Sequence, residues 1–374
     1  MTIPYGRQLI DDDDVRAVCD VLRSDWLTTG PTVGRFESAV ADYASAKHAV
    51  AVSSGTAALH AAMHAAGIGP GDEVIVPSLT FLATSNAVLY CGGRPVFADV
   101  DRGTLVVDPE SVLRALTPKT KAIVGVDYAG HPCDWDALAS IAKERGILLI
   151  DDACHALGAE YKGKRVGALA DMTILSFHPV KHITTGEGGM VLADDAALAD
   201  RVRRFRNHGV DTDQRQRAER GTFHYEMVDL GFNYRLSDIG CALGLSQLRK
   251  LPAWLARRNA IARAYDEAFA SGPIRPLERA PAIAHAYHLY VVRTGARRDA
   301  LFRELRAADI GVNVHYMPVH MHAYYRRTLG TERGLCPVAE AAYDEVLSLP
   351  MYAGMTDDDV THVVDRIRRL TSEG

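Results

Sequence analysis

The chain has 374 residues, of which 48% are hydrophobic and 24% are charged. This composition is typical of a globular enzyme of about two domains, and it excludes disordered, collagen-like and fibrous proteins. The formal net charge of -5 provides no broad positive field, so we expect no nucleic-acid partner and no binding to anionic membranes.

The N-terminal residues include four consecutive aspartates, Asp11 to Asp14, where a secretory leader needs basic residues and an apolar stretch. The chain also lacks an uninterrupted apolar run of about 18 residues, which a membrane-spanning helix requires. Its six cysteines are widely spaced, which indicates neither a zinc ribbon nor a disulfide framework. We therefore expect a soluble protein of the reducing cytoplasm.

Between residues 48 and 153, short apolar runs alternate with segments of helical pattern. The runs predict strands, and in chain order they read HAVAV, EVIVPS, RPVFADV, KAIVGVDY and GILLIDDA. Because they lack polar–apolar alternation, they are typical of parallel strands that helices cover on both faces. Ligands of such sheets bind at the carboxyl ends of the strands, where loops and helix N-termini meet.

After Gly189 the pattern changes. Helices are predicted at 197–205, 236–248 and 255–270. The C-terminal part mixes apolar runs with helical patterns, namely AYHLYVVR, 298–308, VNVHY and 356–369. This mixture is typical of a smaller α+β unit. We predict a large domain at 1–248, with the N-terminal segment included, and a small C-terminal domain at 249–374.

The segment from Ser176 to Gly189 reads SFHPVKHITTGEGG and contains one lysine, Lys181. Lys181 follows a predicted strand and precedes a glycine-rich turn. Its amine is therefore expected at the ligand-binding edge of the sheet, beside backbone that a ligand can approach closely. An amine whose pKa is lowered by burial or by a neighbouring cation is a nucleophile suited to Schiff-base formation. An ordinary surface lysine in a turn would have the same sequence context.

Asp152 ends the buried run GILLIDDA and therefore lies at the same edge of the sheet as Lys181. A carboxylate there could hold a pyridine nitrogen protonated, which makes the ring a better acceptor of carbanion electrons. The alternative role for an aspartate at this position is that of a helix N-cap.

Residues Ser53 to Ala57 follow the strand HAVAV and open a helix. Backbone N–H groups, the helix dipole and small hydroxyl groups can converge on a phosphate at such a junction. The segment has neither a Walker lysine nor a dinucleotide fingerprint, which argues against a nucleoside triphosphate and against NAD. A plain capped helix would show the same sequence.

Two groups of histidines raise the question of a metal, His60 with His64, and His315 with His320 and His322. The first pair lacks the glutamate of a zincin helix, and neither group has a further ligand that would complete a tetrahedral set. We therefore predict no metal site.

Six segments stand in a characteristic order: SSGTAALH, VPSLTFLATSNAV, VDYAGHPCDWDALASIA, LLIDDACHALGAEY, SFHPVKHITTGEGGM and GFNYRLSDIGCALGLSQL. Together they resemble the DegT/DnrJ/StrS family of nucleotide-sugar aminotransferases, which depend on pyridoxal 5′-phosphate (PLP). Within this family the sequences of these motifs are most similar to those of the pseudaminic-acid branch, which aminates carbon 4 of a UDP-4-keto-6-deoxy-N-acetyl-hexosamine.

The resemblance implies an α/β protein with the type I fold of PLP-dependent transferases, similar to aspartate aminotransferase. In this fold a large α/β/α domain with a mostly parallel sheet carries a small α+β C-terminal domain. The resemblance also implies a homodimer in which both chains build each active site.

The resemblance further implies roles for individual residues around the cofactor. Lys181 matches the lysine that forms the Schiff base with PLP, and Asp152 matches the carboxylate that pairs with the pyridine nitrogen. His155 matches a residue that faces the ring, and Phe81 matches an aromatic residue stacked on it.

Other positions match residues that bind the cofactor phosphate, that come from the neighbouring subunit, or that lie near the sugar nucleotide. Gly55, Thr56 and Ser176 match ligands of the cofactor phosphate. Asn233 and Arg235 match residues that reach the site from the neighbouring subunit. Three residues lie in segments that shape the sugar-nucleotide pocket, namely Trp26, Tyr316 and His320.

The reaction implied by the resemblance transfers the amino group of L-glutamate to the 4-keto group of a nucleotide-linked 6-deoxy sugar. Family members that dehydrate sugars have a histidine in place of the lysine, whereas this chain has Lys181, whose amine can move the proton in transamination. The alternatives are transamination of another dTDP-, UDP- or GDP-linked keto sugar, PLP-dependent dehydration, and non-catalytic binding of a sugar nucleotide by a regulator.

Overall fold

The structure is a computed structural model, and it describes residues 2–212 and 214–372. In chain order its α-helices are α1 (Asp12–Leu22), α2 (Pro31–Ala44), α3 (Gly55–Ala65), α4 (Leu82–Tyr90), α5 (Pro109–Ala115), α6 (Trp135–Arg145), α7 (Ala196–Phe205), α8 (Gln214–Glu219), α9 (Asp238–Ala268), α10 (Arg298–Ala307), α11 (Ala323–Leu329), α12 (Pro337–Glu345) and α13 (Asp357–Ser372).

The strands belong to one large sheet and two small ones. They are β1 (His48–Val52), β2 (Glu73–Pro77), β3 (Arg94–Ala98), β4 (Thr120–Val126), β5 (Leu148–Asp152), β6 (Glu160–Tyr161), β7 (Lys164–Arg165), β8 (Met172–Ser176), β9 (Gly189–Ala193), β10 (Arg275–Pro276), β11 (Ile283–Ala284), β12 (Tyr290–Arg293) and β13 (Val346–Leu349). No helix in the described ranges is both long enough and apolar enough to span a bilayer.

The large sheet has seven strands in the order β1-β9-β8-β5-β4-β2-β3. Strand β9 runs antiparallel to both of its neighbours, β1 and β8, while the remaining pairs are parallel. The prediction of a mostly parallel sheet is therefore confirmed. Because six strands run in one direction, their carboxyl ends lie at one edge of the sheet, where loops can assemble a site.

Helices cover both faces of this sheet, as β1 illustrates. Val50 and Val52 point into a core shared with α3 and α7, whereas Ala49 and Ala51 point into a core shared with α2 and α9. Successive residues of a strand face opposite sides, so a strand covered on both faces is apolar throughout. This explains the uninterrupted apolar run HAVAV.

Helix α9 differs from the prediction, which placed two helices at 236–248 and 255–270. The structure has one continuous helix, Asp238–Ala268, with Pro252 inside it. A proline in a helix lacks the N–H donor for one backbone bond, but burial on both sides of Pro252 favours the uninterrupted helix. Leu251 packs in the core beneath the large sheet, and Tyr265 packs in a separate C-terminal core.

The C-terminal core lies beside the small sheet of β10, β12 and β13. Ile3 also packs there, because its backbone N–H donates to the carbonyl of Asp309 at 2.9 Å. The N-terminal residues are thus in contact with the C-terminal part of the chain, and α9 crosses the predicted boundary at 248/249. The division into 1–248 and 249–374 stays a prediction.

Candidate active site

A cavity of about 700 Å³ lies at the carboxyl edge of the large sheet. Residues at or just after the ends of β1, β4, β5 and β8 line it. Of the residues predicted for the site, those lining this one cavity are Gly55, Thr56, Phe81, Asp152, His155, Ser176, Lys181 and Tyr316. Segments far apart in sequence therefore meet where the parallel-sheet pattern indicated.

Lys181 is half-buried in the turn that follows β8. Its backbone N–H donates to the carbonyl of His178 at 2.9 Å, which closes the turn. Burial lowers the pKa of the Lys181 amine below its ordinary value, although negative charge on Cys154 and Asp152 would oppose this effect. A lowered pKa increases the neutral fraction of the amine, and only the neutral amine is a nucleophile.

Asp152 is the last residue of β5 and is only 4% exposed. The hydroxyl of Thr84 donates to its Oδ2 at 2.7 Å, and the backbone N–H of Cys154 lies 3.3 Å from its Oδ1. Thr84 is in turn hydrogen-bonded to the hydroxyl of Thr80 at 2.9 Å. Both carboxylate oxygens have a donor, so the carboxylate is held in one orientation at the cavity wall.

The ring of His155 is held at both nitrogens. The backbone N–H of Ala129 donates to Nδ1 at 3.3 Å, and Nε2 lies 3.2 Å from the Tyr316 hydroxyl. Because Nδ1 accepts a hydrogen bond, the ring proton belongs on Nε2. Burial, followed by the charge of Lys181, lowers the pKa of His155 well below its ordinary value. The cavity therefore presents a neutral imidazole here.

Besides His155, three histidines line the cavity, namely His178, His288 and His315. Burial and the nearby Lys181 lower the pKa of His315 to about 3. Nδ1 of His315 bonds to the Ser348 hydroxyl at 2.8 Å, and Nε2 lies 3.3 Å from the Asn313 amide nitrogen. Both nitrogens of His315 thus have protein partners, which makes this ring part of the wall.

The junction between β1 and α3 forms a cradle for an anion. Ser54 caps α3 by accepting the backbone N–H of Ala57 at 3.0 Å, so the N-terminus of an 11-residue helix is directed at the cavity. A Cβ on Gly55 would lie 3.0 Å from Cβ of Ser176, and a Cβ on Gly189 would lie 2.4 Å from the Ser54 carbonyl oxygen. Glycine at both positions allows the strands and the helix to approach each other this closely, and it leaves the cradle free for an anion.

These features fit PLP. The cavity is larger than a pyridine ring with its substituents requires, and it combines an amine of lowered pKa, a buried carboxylate and a helix N-terminus. The amine suits the aldehyde, the carboxylate suits a protonated ring nitrogen, and the helix N-terminus suits the phosphate.

Asn233 and Arg235 do not line the cavity of their own chain. Asn233 is exposed, and Arg235 is half-buried with its Nη1 donating to Oδ1 of Asn207 at 2.7 Å. Arg235 lines a separate groove of about 520 Å³. Their position on the surface leaves them accessible to a second copy of the chain, and their role at the site stays a prediction.

Trp26 also lies outside the cavity, in a groove of about 330 Å³ beside α1 and α9, so its sugar-binding role stays a prediction. His320 is fully buried, with Nδ1 2.6 Å from the Ser78 hydroxyl and Nε2 2.8 Å from Oε1 of Glu340. Its nitrogens already have protein partners. The prediction that His320 contacts the sugar nucleotide is therefore not supported, and the structure gives this residue a place in the packing beneath the site.

The histidine pair on α3 also has protein partners. Nδ1 of His60 lies 3.2 Å from the Tyr234 hydroxyl, and Nε2 of His64 lies 2.7 Å from Oδ2 of Asp229. Within residues 2–212 and 214–372, no three histidine, cysteine, aspartate or glutamate side chains are grouped so that they could hold a metal ion.

Several cavity residues were missed by sequence reasoning, namely Tyr5, Thr80, Thr84, His288 and Asn313. Thr84 lies within the recognised segment VPSLTFLATSNAV, and His288 lies within the run AYHLYVVR. The sequence therefore identified these segments as a family motif and as an apolar run, but it did not identify the roles of the two residues. The contact of Thr84 with Asp152, 68 residues away, is set by the tertiary fold and has no local signal.

Comparisons with known proteins extend over nearly the whole chain. The model of the DegT/DnrJ/EryC1/StrS aminotransferase family matches residues 8–368. The spore coat polysaccharide biosynthesis protein SpsC of Bacillus subtilis (strain 168) is 41% identical over 377 residues, which cover 98% of this chain and 97% of SpsC.

Two solved structures share the fold. Spr1654 from Streptococcus pneumoniae, in its PMP form, has a TM-score of 0.94 and 32% identity, with 99% of each chain covered. PseC from Helicobacter pylori, an aminotransferase involved in the biosynthesis of pseudoaminic acid, has a TM-score of 0.93 and 30% identity, with 100% of each chain covered. The fold expected from the sequence and the fold of these proteins agree.

Proposed function

The chain belongs to the DegT/DnrJ/EryC1/StrS aminotransferase family, and from this premise we propose that it transfers the amino group of L-glutamate to the 4-keto group of a nucleotide-linked 4-keto-6-deoxy sugar. At the coarser level it is a PLP-dependent sugar aminotransferase. The proposed acceptor is a UDP-4-keto-6-deoxy-N-acetyl-hexosamine. The likeness to PseC, together with the wording of the sequence motifs, supports this choice over other keto sugars.

The observation that carries the proposal is the convergence of Lys181 and Asp152 on one cavity. PLP supplies an electron sink that stabilises the carbanion formed during amino transfer. Asp152, fixed by Thr84, holds the proton on the ring nitrogen. Lys181 would hold the cofactor aldehyde as a nucleophile, and its Nζ could accept and return a proton during amino transfer, since its lowered pKa makes the neutral amine accessible.

The remaining residues of the cavity orient the ligands. Phe81 and His155 would hold the plane of the ring. The ring centroid of Tyr316 lies 5.9 Å from that of Phe81, and its hydroxyl lies 3.2 Å from Nε2 of His155. The N-terminus of α3, with Thr56 and Ser176, would hold the phosphate by charge-assisted hydrogen bonds.

We also propose a homodimer in which Asn233 and Arg235 of each chain complete the site of the other. Support comes from the neighbouring segment, where Phe223, Met227 and Leu230 expose 92%, 61% and 68% of their surface. Large exposed apolar side chains grouped in one segment are typical of a protein interface. Arg235 would then add a cation to the phosphate cradle of the second copy.

The experiment that tests the function replaces Lys181 with alanine. The purified wild-type protein is expected to be yellow with PLP and to bleach with L-glutamate, because the Lys181 amine is the group that holds the cofactor. Lys181→Ala is expected to lose the visible absorption and at least about 10³-fold of the turnover. Lys162→Ala, which removes a surface lysine, is the control.

Incubation with L-glutamate and a panel of UDP- and dTDP-4-keto sugars, followed by mass and NMR analysis, identifies the acceptor. Ordinary turnover by Lys181→Ala would refute the proposed role of the lysine. Loss of the sugar hydroxyl without consumption of glutamate would show a dehydratase. A protein that binds the sugar nucleotide but never bleaches would be a regulator.

A further inference from the structure

His288 is a buried cavity residue whose imidazole nitrogens have no hydrogen-bond partner within the described residues. It is 5% exposed and lines the cavity. Its Nδ1 is buried and unpaired. The neighbouring His155 and His315 differ, because protein partners occupy both of their nitrogens. A histidine ring that lines a cavity and has no protein partner keeps hydrogen-bonding capacity that a ligand can use.

The position of this ring is rigidly held. Nη1 of the buried Arg258 donates to the Tyr287 carbonyl at 3.0 Å and lies 3.4 Å from the His288 carbonyl. On the other side, the backbone N–H of Leu289 donates to the carbonyl of Ala129 at 3.2 Å. These bonds fix the backbone that carries the ring, and a fixed backbone helps the ring to present a donor in one direction, as recognition of a ligand requires.

The ring of His288 also packs on that of His155, with 4.3 Å between the ring centroids and 41° between the planes. Burial, followed by the charge of Lys181, lowers the pKa of His288 well below its ordinary value. The ring is therefore a neutral imidazole. Since Nδ1 is enclosed by protein, Nε2 is the nitrogen that can reach a ligand. In the tautomer that carries the proton on Nε2, this nitrogen is a donor.

The charges of the cavity indicate what this donor would bind. None of the residues that line the cavity is an arginine, and Lys181 is the one lysine among them. The proposed reaction uses Lys181 for chemistry, whereas an amino acid donor and PLP both bring anionic oxygens. A neutral N–H donor is a suitable partner for such an oxygen.

We propose that His288 is a further ligand-binding residue, which donates a hydrogen bond from Nε2 to an anionic oxygen in the cavity. This oxygen belongs either to a carboxylate of the amino donor or to the ring oxygen of the cofactor. The inference rests on the proposed function, because it assumes that PLP and an amino acid occupy this cavity.

Two substitutions separate the ring nitrogens. The amide nitrogen of glutamine can take the place of Nε2, and that of asparagine can take the place of Nδ1. His288→Gln should therefore retain binding to within about threefold, whereas His288→Asn and His288→Phe should each weaken binding of one ligand about tenfold. His285→Phe is the control, since His285 is a half-buried histidine that does not line the cavity.

Two measurements identify the source of the oxygen. The first is the dissociation constant of PLP from the apoprotein, followed by visible absorption. The second is the L-glutamate concentration that gives half-maximal bleaching of the PLP-loaded protein. If only the L-glutamate concentration for half-maximal bleaching changes, the bond is to the carboxylate of the donor. If the dissociation constant of PLP changes, the bond is to the cofactor. Thermal unfolding of each apoprotein verifies that the variants are folded.

If both values stay within about twofold of the wild-type values in His288→Asn and His288→Phe, the proposal is wrong. Equal weakening in His288→Gln and His288→Phe would overturn it as well, because the loss would then not depend on the nitrogen. Failure of the proposed function is distinguishable, since in that case the wild-type protein itself would show no visible band and no bleaching.

Discussion

At the scale of single residues, the chemistry of this site depends on contacts that connect distant parts of the chain. Lys181 and Asp152 could be predicted because Asp152 ends one recognisable strand and Lys181 follows another, and strand ends meet at one edge of a parallel sheet. Thr84 could not be predicted in its role, because nothing in its own segment indicates that its hydroxyl lies 2.7 Å from Asp152. The tertiary fold alone creates that contact.

Replacing Thr84 with valine tests the importance of this contact. Valine has nearly the shape of threonine, so the main change is that Oδ2 of a buried carboxylate loses its donor. We expect the free energy of unfolding to fall by about 1–3 kcal/mol and the rate of glutamate-driven bleaching to fall about tenfold. Urea unfolding and stopped-flow absorption measure the two effects.

Thr84→Ser keeps the hydroxyl and serves as the control, with a bleaching rate expected within about threefold of the wild-type rate. If Thr84→Val bleached as fast as the wild-type protein, the orientation of Asp152 would have to be set by other groups.

At the scale of elements, the sequence patterns predicted which segments are strands but not every boundary. Uninterrupted apolar runs revealed the strands of the large sheet because helices cover both of its faces. At α9 the sequence predicted helical segments at 236–248 and 255–270, whereas the structure has one helix that continues through Pro252. A local helix-breaking signal was outweighed there by burial of the same helix in two cores, and burial depends on the whole fold.

The junction of β9 with α3 shows how closely two elements must approach to form the phosphate cradle. A Cβ at Gly189 would lie 2.4 Å from the carbonyl oxygen of Ser54 and 2.7 Å from the backbone nitrogen of Gly55. Backbone atoms of a capped helix cannot move aside cheaply. We therefore expect Gly189→Ala to lower the free energy of unfolding by about 1–3 kcal/mol and to weaken PLP binding at least about tenfold.

Gly34→Ala is the matched control, because a Cβ at this position in α2 would meet nothing within 4 Å. Alanine favours a helix over glycine by about 0.5–1 kcal/mol, so this variant should be slightly more stable and should bind PLP normally. PLP titration and urea unfolding of both variants provide the comparison. Normal PLP affinity in Gly189→Ala would mean that the cradle does not hold the phosphate.

At the scale of the whole molecule, one chain brings most of the predicted site together but leaves Asn233 and Arg235 outside the cavity. Strand and helix patterns could not assign these residues to a second copy, since such patterns describe one chain, and the expectation came from the family resemblance. The proposed dimer explains both their position on the surface and the exposed apolar side chains at 223–230. It also makes each site dependent on two chains.

Mixed dimers test this dependence. A Lys181→Ala chain and an Arg235→Ala chain, co-expressed with different tags and purified through both, form a dimer with one mutation in each chain. If each site takes Lys181 from one chain and Arg235 from the other, one of the two sites is intact, and we expect about half of the wild-type activity. Each variant alone should be nearly inactive.

The same two mutations placed in a single chain, paired with a wild-type chain, give the opposite expectation. One site of this dimer then lacks the lysine and the other lacks the arginine. We therefore expect little activity, although this dimer carries the same two substitutions as the first one. If every site were instead built by one chain, the wild-type chain would keep its complete site. The double-mutant pairing would then retain about half of the activity, and the first pairing would be inactive. Turnover of glutamate and the keto sugar by the two purified dimers therefore decides between shared and separate sites.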